Sequence, residues 1–123
     1  MEVFRVIIAG GRDFNDYTLL KTKCDNILAE TALTDKIVVV SGAARGADSL
    51  GERYAREQGY DVQRFPANWE RDGKAAGPVR NTQMANSADA LIAFWDGKSH
   101  GTKSMINIAK AKGLFVRVIN YTI

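Results

Sequence analysis

Three stretches of this chain carry glycine within two residues of the end of an apolar run: Ala9-Gly10-Gly11-Arg12, Ser41-Gly42-Ala43-Ala44-Arg45-Gly46-Ala47-Asp48, and Asp96-Gly97-Lys98-Ser99-His100-Gly101-Thr102. Glycine lets a ligand approach the main chain. A helix that starts after such a turn presents unpaired N–H groups and about half a positive charge, a setting that favours phosphate. In the second stretch Arg45 is placed to add a forked, charge-assisted contact to phosphate oxygens. Asp48, one turn inside the helix start, has two readings of equal weight: it complements the helix dipole, or it accepts hydrogen bonds from ribose hydroxyls. One glycine turn alone means only a tight turn, whereas three that converge on one crevice are a stronger signal.

Further along, Arg80 and Asn81 fall in what reads as the first turn of a helix. A cation there opposes the helix dipole, and an anionic partner removes the conflict; a surface arginine paired with a carboxylate explains it as well. Asn68 and Trp69 lie on a long polar stretch and suit a lid or a stacking surface for a base, although a tryptophan covering the edge of the core is the more ordinary account. His100, the sole histidine, is an acid or base candidate without an identifiable partner, so a solvent-facing histidine is favoured. The nucleotide fingerprints do not fit. The second stretch lacks the G-x-G-x-x-G spacing, and a P-loop ending at Gly97-Lys98-Ser99 would need glycine where Ile92 stands. This argues against a magnesium-dependent NTPase.

These residues need elements to position them, and the chain alternates short β-branched runs with helical patterns. Strands are expected at 3–9, 36–41, 61–65, 89–95 and 115–119. Helices are expected from Asp16 to Thr31 with Asn15 or Asp16 as cap, from Gly46 to Gln58 with Gly59 ending it, from Pro78 to Ser87, and from Thr102 to Lys112 before Gly113. Residues 66–77 read as a loop without period. The inward faces are Leu20, Cys24, Ile27 and Leu28, then Ala47, Leu50, Tyr54 and Ala55, then Met105, Ile108 and Ala109. Alternation of this kind predicts a Rossmann-like three-layer α/β sandwich with a mainly parallel five-stranded sheet in the order 3-2-1-4-5. The ligand crevice then lies between strands one and four, at their carboxyl ends.

Composition narrows the function classes. The chain has 123 residues, 46% of them apolar, which suits one domain spanning 1–123 with one core. Seventeen basic residues against 14 acidic give a net charge of +3, and their scatter favours a local anion site over a nucleic-acid tract. The single cysteine, Cys24, matches no metal spacing and reads as a buried packing thiol in a reducing cytosol; no metal and no cofactor are expected. No apolar run reaches the ~20 residues of a membrane span, and no signal peptide is evident, which makes a soluble cytoplasmic protein the expectation.

Taken together, AGGRDF, VSGAARGADSLGERYA, FPANWERDGKAAGPVRNTQMA and ADALIAFWDGKSHGTKSMINIAK resemble the YspA-like, cpYpsA-related branch of the SLOG superfamily. The resemblance runs from about residue 4 to residue 119. It implies a fold similar to the LOG phosphoribohydrolases and to DNA-processing protein A, and a nucleotide or nucleotide-derived ligand of the ADP-ribose or NAD type. It also implies a homo-oligomer, and ligand contacts at Gly10, Gly11, Arg12, Ser41, Gly42, Arg45, Gly46, Asp48, Arg80, Asn81, Gly97, Ser99, Gly101 and Thr102, to which Asp96 is added. The catalytic glutamate of the LOG motif falls at Met105, which can neither ionise nor donate a proton. Binding or sensing of a small nucleotide-derived molecule is therefore the leading reading. A nucleotide N-glycosidase using Asp48, Asp96 or His100 is the alternative, and single-stranded DNA binding ranks last.

Overall fold

Valine and isoleucine fill the strands because both faces of a parallel sheet are covered. The computed structural model describes residues 2–122. It contains β1 (Val3–Gly10), β2 (Lys36–Ser41), β3 (Asp61–Arg64), β4 (Ala90–Trp95) and β5 (Phe115–Asn120). All neighbours pair in parallel, in the order β3-β2-β1-β4-β5. The expected Rossmann-like α/β sandwich and its strand order are the ones observed.

The crossovers are supplied by α1 (Tyr17–Leu28), α2 (Thr31–Thr34), α3 (Ala47–Gln58), α4 (Trp69–Asp72), α5 (Ala76–Asn86) and α6 (His100–Ala111). Side chains alternate across each strand and so build two cores. On one face Val6, Ile8, Val39, Ile92 and Phe94 pack with Leu20, Cys24, Leu28 and Tyr54 of α1 and α3. On the other, Ile7, Val40, Leu91 and Ala93 pack with Met84, Met105, Ile106 and Ala109 of α5 and α6. Cys24 is fully buried, as expected, and burial pushes its thiol up to about 12.

The differences from the sequence expectation lie at helix ends and in the long connection. The first helix ends at Leu28 rather than Thr31, and Thr31–Thr34 forms a separate turn; Asp16 does cap its start, accepting from the amide of Leu19 at 3.0 Å. Residues 66–77 are not a plain loop. They contain α4, capped by the Asn68 side chain, and a 3-10 turn at Gly73–Ala75 that runs into α5. Pro78 is therefore the third residue of α5 and Arg80 lies in its second turn, away from the first-turn dipole conflict inferred from sequence. In the same way α6 starts at His100, two residues before the expected Thr102.

β1 leads into α1 on one face and β4 leads into α6 on the other, so a crevice opens between their carboxyl ends. The floor of that crevice is drawn tight at Gly10. A Cβ there would collide with the main-chain oxygen of Phe94 and come within 2.9 Å of the Ala47 side chain. Backbone cannot move aside as a flexible side chain can. Gly10→Ala should therefore lower stability by about 1–3 kcal/mol in urea denaturation, the usual cost of overpacking; an unchanged midpoint would contradict the packing described.

Candidate functional site

The third glycine stretch is organised by its own aspartate. Asp96 Oδ1 accepts from the amides of Lys98 and Ser99, both at 2.8 Å, and these bonds hold its carboxyl below the usual range. Trp95 Nε1 donates to the Ser99 carbonyl at 3.0 Å and anchors the turn to the end of β4. The turn delivers the N-terminus of α6 to the crevice. The first three amides of that helix, on His100, Gly101 and Thr102, have no acceptor among the described residues.

In the second stretch the protein supplies acceptors for three of the amides. The amide of Ala43 donates to Ser41 Oγ at 3.1 Å, that of Ala44 to Asp48 Oδ2 at 3.2 Å, and that of Ala47 to the Gly11 carbonyl at 3.1 Å. Ser41 is fully buried and spends its own proton on Glu52 Oε2 at 2.6 Å, an acceptor that Arg64 Nε also reaches at 3.2 Å. Arg45 projects outward, three-quarters exposed, with Nη2 3.8 Å from Asp13 Oδ1. It stands at the mouth of the crevice.

Arg80 joins the two sides. From α5 its Nη1 donates to the Gly42 carbonyl and its Nε to Asn81 Oδ1 at 2.9 Å. Gly42 makes this possible, since a Cβ on it would sit 2.5 Å from Arg80 Nη1 and 2.7 Å from Asp48 Oδ2. Burial depresses Arg80, Asp48 opposes that and Arg12 adds to it, yet a guanidinium stays charged. Asp48 is 5% exposed. Burial pushes its carboxyl up to about 6, against the pull of the Ala44 amide and of Arg80.

The crevice is a cavity of about 660 Å³. Of the residues singled out from sequence, Gly10, Arg12, Arg45, Asp48, Trp69, Arg80, Asn81, Ser99, His100, Gly101 and Thr102 line it. Gly42 lines an adjoining groove of about 330 Å³ together with Arg12, Arg45, Trp69 and Arg80. The others stand behind the wall. Gly11 backs onto the Tyr121 hydroxyl, Gly46 is the residue before α3, Ser41 is sealed in, Asn68 caps α4, and Asp96 and Gly97 shape their turn. Trp69 is 54% exposed, which removes the account of it as a cover for the core edge.

Sequence reasoning missed Lys74, Met84 and Ser104, which also line the cavity. Lys74 had a signal, its place in a long polar connection, whereas Met84 and Ser104 are ordinary helix residues until the fold turns them to the crevice. The walls carry Arg12, Arg45, Lys74 and Arg80 against Asp13 and Asp48, an excess of positive charge. The floor, at Ala9, Met84 and Met105, is apolar. Among the described residues no cluster of His, Cys, Asp or Glu is arranged to hold a metal.

Known proteins resemble this chain to different depths. The family model described as YAcAr, the YspA, cpYpsA-related SLOG family, matches residues 4–71. The Gene 61 protein of Mycobacterium phage D29 is 37% identical over 123 residues, 95% of each chain. Among solved structures, DNA processing protein A (DprA) from Streptococcus pneumoniae superposes with a TM-score of 0.71 at 16% identity. That match covers 99% of this chain and 52% of DprA, so this chain spans about half the length of that protein. TM1055, a structural-genomics target, matches with a TM-score of 0.64 at 21% identity, over 94% of this chain and 72% of that one. At such identities the two structures share the fold.

Asp48 sets a pH dependence. Its folded pKa lies above the unfolded value of 3.8, so between about pH 4 and 6 the native state keeps a proton that the unfolded chain releases. Native stability then falls as pH rises through this window. Asp48→Asn removes the decline. Relative to wild type the variant should gain roughly 3 kcal/mol between pH 4 and pH 7 in urea denaturation, at ~1.4 kcal/mol per unit; parallel curves would refute the burial argument.

Proposed function

Because the chain belongs to the YspA, cpYpsA-related SLOG family, we propose that its carboxyl-edge cavity binds a nucleotide or nucleotide-derived ligand: a nucleoside monophosphate, ADP-ribose or an NAD-derived molecule. The observation that carries this reading is the N-terminus of α6, whose first amides lack acceptors among the described residues and open into a cavity with excess positive charge. An anion is the partner such a helix end favours. The phosphate is assigned to α6 rather than to α3, because all three first amides of α6 are open, whereas at α3 the Ala47 amide is taken by Gly11, the loop amides of Ala43 and Ala44 are taken by Ser41 and Asp48, and the Asp48 carboxylate opposes an anion.

The rest of the cavity supports the same ligand class. Its volume falls within the ~300–1,000 Å³ common for small-molecule sites. Trp69 offers an exposed aromatic face on which a base can stack, and Arg45 and Lys74 line the same cavity. Binding fits better than turnover at the floor, where Met84 and Met105 supply no acid or base.

A second reading, cleavage of an N-glycosidic bond, has one observation in its favour: Asp48 faces the cavity with a carboxyl raised to about 6, in the range of a general acid. Asp96 does not share that position, being held in its turn. Chromatography of NAD and AMP incubated with the protein decides this reading, since released free base supports it and intact nucleotides remove it.

For the binding reading, AMP, ADP-ribose or NAD at about 100 times Kd should stabilise the protein by ~2.7 kcal/mol, seen as a rise of several degrees in Tm. Arg80→Ala should abolish the rise, and Arg45→Ala should reduce it. Unchanged Tm values across the panel would overturn the proposal.

A further inference from the structure

Asn81 is 6% exposed and lines the cavity. Its amide orientation is fixed by chemistry, because Arg80 Nε can only donate and stands 2.9 Å from it, so the oxygen must face Arg80. The two N–H groups on Nδ2 are left with no acceptor among the described residues. Asp48 is the complementary case. It lines the same cavity at 5% exposure, its Oδ2 accepts from the Ala44 amide, and Oδ1 has no donor among the described residues. Both side chains are tied to one guanidinium, Asn81 by its hydrogen bond and Asp48 by charge across Gly42. Both side chains are more than nine-tenths buried, and the donor of one and the acceptor of the other that the protein leaves unpaired open only into the cavity beside Arg80, where water or a ligand group meets them.

A phosphate cannot satisfy the pair, since it would face the Asp48 carboxylate. A hydroxyl can, because it accepts from one neighbour and donates to another. Resting on the nucleotide reading above, we infer that Asp48 and Asn81 form a sugar-hydroxyl subsite that makes the protein selective for ribose over deoxygenated ribose. The ligand then lies with its phosphate at α6 and its sugar against α3 and α5. The apolar floor at Met84 and Met105 contributes no competing polar contact.

The test is isothermal titration of the intact protein with AMP, ADP-ribose and NAD, each against analogues whose riboses lack the 2′- or 3′-hydroxyl. Loss of the recognised hydroxyl should weaken binding about 10- to 100-fold, the scale of a hydrogen bond to a charged group. In Asp48→Asn the new amide must turn its oxygen to Ala44 and presents donors to the cavity, which leaves the hydroxyl proton without an acceptor; Asn81→Ala removes the donor. Both variants should melt cooperatively and lose the preference, their affinities for ribose and deoxygenated forms becoming equal. Equal affinity of wild type for ribose and deoxygenated forms overturns this subsite alone, without any variant being needed. Preference retained in both variants also overturns it. No binding by any of the three nucleotides overturns the subsite and the nucleotide reading together.

Discussion

The structure depends on how closely the backbone can approach at Gly10 and Gly11. The Gly11 amide donates to the Phe94 carbonyl at 3.2 Å, and the Gly11 carbonyl accepts from Phe14 at 3.2 Å and from Ala47 at 3.1 Å. Four segments thus meet on two residues without side chains: the end of β4, the start of α3, the turn after β1, and Tyr121, whose hydroxyl presses on Gly11. Parallel pairing already brings β1 beside β4. What this junction adds is a short distance between helix ends on opposite faces of the sheet, so that side chains from α3, α5 and α6 can reach one cavity.

The polar wall of that cavity sets burial against open bonding capacity. Burying Asp48 at 5% exposure beside a half-buried arginine gives each group a partner, but incompletely. Low dielectric strengthens each contact made and raises the cost of each one left open. Ser41, Glu52 and Arg64 form a separate chain that is satisfied within the protein and braces the loop after β2. One network fixes the backbone, and the other stays open toward the crevice.

Much of this was legible in the sequence, because the features concerned are local. β-branched runs marked the strands, Asp16 marked a helix start, and Gly59 and Gly113 marked ends at positive φ. The crossover rule allows several strand orders, and the expected 3-2-1-4-5 is the one observed. Boundaries slipped where local signals conflict: Pro78 suits a first helical position, yet a 3-10 turn at Gly73–Ala75 starts the helical path earlier, so α5 reaches back to Ala76. At the candidate site, most of the residues singled out by type meet at one cavity, but what each bonds was not legible. Arg80 bonds a carbonyl 38 positions away, Ser41 turns to Glu52, and Arg45 leans outward. Those outcomes are set by tertiary geometry, which spacing along one chain does not encode.

The short helix α4 is anchored locally. It is held by its Asn68 cap, by the pairing of Arg71 with Asp72, and by packing on the 3-10 turn and α5. None of these ties reaches the sheet. A segment anchored this way opens at a small fraction of the free energy needed to disturb the two cores. Trp69 travels with it. The exposed face that Trp69 offers the cavity is therefore held in place by one helical turn, whose strength is set by Asn68, Arg71 and Asp72 rather than by the sheet.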